Sequence, residues 1–273
     1  MSEDRKAVPE TLLADLRAEA ASVRALVSNA SELAVETPAP GWNVRDTIAH
    51  LVGSDEMGLS AVGDPEGFVR DRPGTLDGLA TLLASHLNTR VSTPYAALRS
   101  EWANTFDRLV SALESSTRGV KVPWFGPPMS PTTMASARLM EYWAHGQDIA
   151  NGLGLERQAT DRIAHVCHIG VRTFGFSFAG RKRVVPDVIP SVDLVLPSGK
   201  SWVVQGDPAQ RITGPAVDFA LVVTRRTHPL DTDLSITGPI AEEWMSIAQC
   251  FAGPPGEDPK RKVTHPVADT SSR

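Results

Sequence analysis

Residues 129–154 read MSPTTMASARLMEYWAHGQDIANGLG, and the organisation of the chain turns on how this stretch folds. Ser130 is a good N-cap, and Pro131 follows at the first helical position, where its missing N–H costs nothing. Leu139, Trp143, Gly146, Ile149 and Leu153 recur at helical spacing and form an apolar row. Met134, Arg138, Glu141, His145 and Asp148 form the row beside it, so a carboxylate and an imidazole stack one turn apart at the edge of the buried face. Ionisable groups there are costly unless they are paired or bound to a metal. Gly146 costs helix stability, and its missing side chain would let something approach His145.

Three other segments share the helical pattern. Leu12, Leu16, Ala20, Val23 and Val27 step by three and four, as do Leu98, Trp102, Phe106, Leu109 and Leu113. Between them Asn43 caps a helix whose buried stripe is Val44, Ile48, Leu51 and Val52, with Asp46 placed to suit the helix dipole. Residues 63–93 are less regular: GDPEGFVRDRPG reads as loop and TLDGLATLLASHL as a short extra helix. Four long amphipathic helices with one extended crossover predict a four-helix bundle.

After Gly154 the pattern changes. TDRIAHVCHIGVRTFGFSF reads as a connecting helix, and SVDLVL, SWVVQG and DLSIT as strands separated by the turns PSGK and GDPAQ. GPAVDFALVVTRR and GPIAEEWMSIAQCFAG read as helices, completing an α+β unit. The expected division is a helical bundle over 1–155, an α+β domain over 156–253, and a Pro-rich polar tail without fixed structure over 254–273.

Composition narrows the functions. The chain has 273 residues, 41% of them hydrophobic, and a formal net charge of −5, which argues against a nucleic-acid partner. No apolar run approaches the ~20 residues of a membrane span, and the charged N-terminus has no signal core, so a cytoplasmic protein is expected. Cys167 and Cys250 read as buried, reduced thiols. No phosphate-binding glycine loop and no nucleophile elbow is present. His165, Cys167 and His168 diverge on a helix and suit packing better than ligation.

Glu141 and His145 supply two metal ligands, and His50, on the flank of its own helix, is the best third. One carboxylate and two histidines with an open position suit Zn²⁺ or another divalent ion. From spacing alone a surface Glu–His pair beside an unrelated His50 remains the competing interpretation.

GWNVRDTIAHL and ARLMEYWAHGQDIANGLG resemble the two signature helices of the DinB-like, mycothiol-dependent maleylpyruvate isomerase superfamily. VPWFGPPMS, GPAVDFALVVTRR and WMSIAQCFAGPPG resemble an actinobacterial branch of it, over about residues 10 to 256. The resemblance implies a DinB-like metal-binding bundle followed by a sterol-carrier-protein-like α+β domain. It implies zinc on His50, Glu141 and His145, and a functional arginine at Arg226. Arg225 stands where the isomerase pattern has Gly. It also implies mycothiol or a similar thiol as cofactor, adding to an activated double bond of a small carboxylated substrate and leaving after rotation. By position, Arg226 would either grip the substrate carboxylate or serve as a helix-end cation that complements the dipole. WFGPPM, directly before the metal-bearing helix, would wall an interdomain cleft with Trp124, Phe125 and Met129. Asp148, one turn past His145, would line it as a partner of His145 or an alternative ligand. The chemistry would be isomerisation or S-transfer. A metal-dependent hydrolase or cyclase without thiol, and a non-catalytic metal-stabilised carrier of small ligands, are the alternatives.

Overall fold

The computed structural model describes residues 6–256 and 259–261. The expected tail, 254–273, falls largely outside them. The helical part holds α1 (Glu10–Leu26), α2 (Val44–Gly63), α3 (Pro65–Asp71), α4 (Leu76–Asn88), α5 (Tyr95–Ser115) and α6 (Pro131–Gly152). Helices α1, α2, α5 and α6 form the expected bundle: α2 packs on α5 and α6, and α1 on α6 and α5. The caps form as read, with Asn43 and Asp46 exchanging hydrogen bonds in a capping box and the Ser130 hydroxyl accepting from the Thr133 N–H. Leu16, Ile48, Leu98, Leu109 and Leu139 are fully buried, as their spacing requires. Truncating one of the largest core side chains, such as Trp102, to alanine removes about 3–5 kcal/mol.

One segment departs from expectation. GDPEGFVRD is helical where a loop was expected, because the Asp64 side chain accepts from the Gly67 N–H and Pro65 occupies the first helical position. Those two residues are a helix start that the turn-like composition conceals.

The second part begins with α7 (Ile163–Arg172) and α8 (Phe174–Gly180), followed by β1 (Pro190–Val195), β2 (Ser201–Val204), β3 (Asp207–Pro215), α9 (Ala216–Val223), β4 (Ser235–Thr237) and α10 (Pro239–Ile247). The four strands form one mixed sheet in the order β2-β1-β3-β4, with β1 antiparallel to β2 and parallel to β3. DPAQ, expected as a turn, is the start of β3. Asp207 pairs with Pro190, and Pro208 to Gln210 are skipped at the register shift between Pro190 and Ser191. The regular pairing with β1 starts at Arg211, with Ile212 buried in the core. Trp244 of α10 sits edge-on to Phe174 and Phe219 and anchors the helices over the sheet.

The two parts meet where α7 packs on α6, and α9 packs on α7 in turn. Arg157 donates from Nη1 to the Trp143 carbonyl and from Nη2 to Glu19, which Arg162 also holds; Glu19 is almost fully buried. A Cβ at Gly146 would lie 2.5 Å from Val23 and 3.1 Å from Arg157. Gly146 therefore serves the close approach of α1 and the connecting segment, and not access to His145.

Candidate metal centre

Placing α2 beside α6 brings His50 to Glu141 and His145. His50 Nε2 lies 3.3 Å from Glu141 Oε2, and His145 Nε2 lies 3.4 Å from the same oxygen. The three residues offer ligand atoms within 4.8 Å of one another. Their side chains are 13%, 14% and 12% exposed in the order His50, Glu141, His145, so the cluster is sheltered but reachable. His50 is thus a direct neighbour of the Glu141–His145 pair. Two imidazole nitrogens and a carboxylate oxygen converging from two rigid helices match the donor set of a catalytic zinc site.

The electrostatics differ across the cluster, with the two imidazoles shifted in opposite directions. Burial pushes the His50 imidazole below its ordinary range against the pull of Glu141, which favours the neutral, ligating form. Burial opposes the charge on Glu141, yet His145, His50 and Arg138 outweigh it and hold the carboxyl well below its usual range. His145 is shifted upward: burial acts against its charge, but Asp148 and Glu141 prevail.

Asp148 lies beside His145. Its Oδ2 lies 3.0 Å from His145 Nδ1, which directs Nε2 toward Glu141 and fixes the ring. Against its own burial, the Asp148 carboxyl is held down to about 2 by Arg226 and His145. Arg226 reaches across the seam between the two parts. Nε donates to Asp148 Oδ1 at 3.2 Å, Nη2 to Oδ2 at 2.7 Å, and Nη1 to the Thr224 carbonyl at 2.6 Å.

The end of α9 explains how Arg226 gets there. The Arg226 N–H bonds the Leu221 carbonyl and the Arg225 N–H bonds the Val222 carbonyl, the paired bonds of a Schellman motif. Arg225 takes the left-handed position with φ 62°, which glycine occupies without strain. The departure from the isomerase pattern thus falls on a backbone cap, and Arg226 keeps its place.

Two neighbours were not among the expected site residues. Trp42, in the turn before α2, lies with its ring centre 5.0 Å from that of His50 and 5.8 Å from that of His145, stacked on the latter. The signal was present in GWNVRDTIAHL, where Trp42 directly precedes the Asn43 cap of the helix that carries His50. Arg138 lies one turn before Glu141 on α6, 3% exposed, with its guanidinium carbon 5.2 Å from the Trp124 ring centre. Of the expected cleft residues, Trp124 lies beneath Arg138, and Phe125 packs on Trp124 and Phe68. Met129 pairs through its backbone with Val122 and leans on the core.

The family model described as the mycothiol maleylpyruvate isomerase N-terminal domain matches residues 5–150. The chain belongs to this family. It is 42% identical over 258 residues to the uncharacterized proteins Rv0036c and MT0041 of Mycobacterium tuberculosis, covering 91% of this chain and 98% of theirs. Among solved structures it resembles crystal structures of the mycothiol-dependent maleylpyruvate isomerase and of a histidine-to-alanine mutant. Their TM-scores are 0.53 and 0.56 at 15% and 16% identity, covering 80% of this chain and 90% of theirs. At that identity the likeness speaks for the fold: helical with a small mixed sheet, an α and α+β architecture that this member of the family shares. No helix among the described residues is long and apolar enough to cross a membrane.

Proposed function

We propose that this protein is a metal-dependent enzyme using a low-molecular-weight thiol of the mycothiol type, and that it isomerises or S-transfers to a small carboxylated electrophile. The observation that carries the reading is the convergence of His50, Glu141 and His145, sheltered and within 4.8 Å, in a chain of the mycothiol maleylpyruvate isomerase family. These three residues would hold the ion. A bound divalent cation of this kind lowers the pKa of a coordinated thiol or water and so supplies a nucleophile at neutral pH.

The chain's own residues account for the remaining requirements. Cys167 and Cys250 are buried, and burial pushes both thiols far above the ordinary range, so neither is the nucleophile and the thiol comes from outside. Asp148 keeps the His145 proton on Nδ1 and leaves Nε2 to ligate. Arg226 holds Asp148 in place, and it meets a substrate carboxylate only by sharing a fork that Asp148 already fills. Trp42 covers the histidine pair and limits water there.

Elemental analysis of the as-purified protein tests the metal, with about one zinc per chain expected. His50→Ala, Glu141→Ala and His145→Ala should each lower occupancy, and full occupancy in His50→Ala alone would break the three-ligand arrangement. A cobalt-loaded sample should develop a thiolate-to-metal charge-transfer band when mycothiol is added. Absence of the band at saturating thiol would favour a water-activating enzyme instead.

A further inference from the structure

Arg138 has more unpartnered buried side-chain atoms than any other charged group among the described residues. Its side chain is buried, and neither Nε nor Nη1 has a hydrogen-bond partner among the described residues. Nη2 stands 3.8 Å from Glu141 Oε1, near enough for attraction and too far for a hydrogen bond. Buried guanidinium N–H groups without acceptors are rare and call for a missing partner. The ring of Trp124 backs one face of the guanidinium, and the edge that carries Nε and Nη1 is buried with no acceptor from the described residues.

A charge count leads to the same place. Around the triad, Glu141 and Asp148 bring two negative charges, and Arg138 and Arg226 bring two positive charges. The set is balanced with both histidines neutral, and a divalent cation would then add two positive charges. Two anionic groups restore the balance, and a thiolate is only one of them. Asp55 lies nearby with Oδ1 also unpartnered, but burial holds its carboxyl up to about 7, so it is a partial counter-charge at best.

We infer that Arg138 is the residue that binds the carboxylate of the ligand entering this centre, through the unpartnered Nε and Nη edge beside Glu141. The inference rests on the metal-dependent reading and adds to it the group that positions the substrate. Arg226 becomes a positioning residue, since its N–H groups already serve Asp148 and Thr224. The competing explanation is an internal water joining Arg138 to Asp55 Oδ1.

Succinate is a suitable probe, titrated into zinc-loaded full-length protein by calorimetry and by arginine Nε–H NMR. The Arg138 Nε–H signal is the one lost in Arg138→Lys. Succinate should shift this signal, and Arg138→Lys should weaken succinate binding about tenfold or more while zinc content stays unchanged. Arg226→Lys should change it by less than about threefold, since Arg226 does not contact the ligand. Succinate binding that leaves the Arg138 signal unmoved would overturn the inference and favour the internal water. Equal affinity in Arg138→Lys, or no binding at all, would overturn it too. Failure to take up zinc would instead sink the metal reading, and the same signal would then be followed on the metal-free chain with the same criteria.

Discussion

Replacing Asp148 by Asn keeps the shape of the side chain and removes the charge shared by His145 and Arg226. The structure sets the size of the effect. The carboxyl is held at about 2 against an ordinary 3.8, with its side chain only 4% exposed. That difference is worth about 2 kcal/mol of folding stability. Because the folded-state value is depressed, the contribution is fully present above about pH 4 and is lost as the pH falls toward about 2, with roughly half gone at pH 3. Urea unfolding of chelator-treated protein, wild type against Asp148→Asn, measures this without a metal contribution. The variant should be about 2 kcal/mol less stable at pH 7 and at pH 5, with the gap about halved at pH 3. A gap below about 0.5 kcal/mol at pH 7 would mean that the ion pair does not offset its desolvation. A gap that ignores pH would mean that the loss is one of packing. Freed from Asp148, the His145 ring can turn or change tautomer, so zinc affinity should also fall about 10- to 100-fold.

Asp55, raised to about 7 by burial despite the Tyr142 hydroxyl bond, works in the opposite direction. Folded protein keeps a proton that unfolded protein loses, so stability should decline as the pH rises from about 4 to about 7, and Asp55→Asn should flatten that slope in thermal melts. Cys167 and Cys250 should react with iodoacetamide at neutral pH only as fast as the protein unfolds, and labelling of the native state within minutes would contradict their burial. Arg226→Lys retains the charge but loses one of two parallel bonds to Asp148, which should cost about 1 kcal/mol in urea melts. Unchanged stability there would show that the fork geometry is unimportant.

Much of this could be read from the chain itself, because the features concerned repeat. Leu98, Trp102, Phe106 and Leu109 announce α5 by period, and Asn43 and Ser130 mark helix starts with side chains that satisfy free N–H groups. The same helical period put Glu141 and His145 on one face. What periodicity does not carry is which helices become neighbours, so the approach of His50 to Glu141 depends on α2 packing beside α6. Helix α3 and the start of β3 were hidden because Gly, Asp and Pro serve turns, N-caps and strand ends alike. Arg138 was visible as a member of the polar row, but its missing partners belong to three-dimensional packing and leave no mark in one dimension. The pairing of Asp55 with Tyr142 and Trp102 is hidden for the same reason.

The chain of contacts from His145 through Asp148 to Arg226 joins a ligand on α6 to the cap at the end of α9. Any free energy the ion gains from a well-oriented His145 is therefore shared with the docking of the sheet-bearing part against the bundle, and linkage requires the effect to be mutual. Zinc would act as a latch on the seam. Stripping it should increase hydrogen exchange at α9, a helix that contributes no ligand, and a solvent or mutation that parts the seam should lower the affinity for zinc by the same factor.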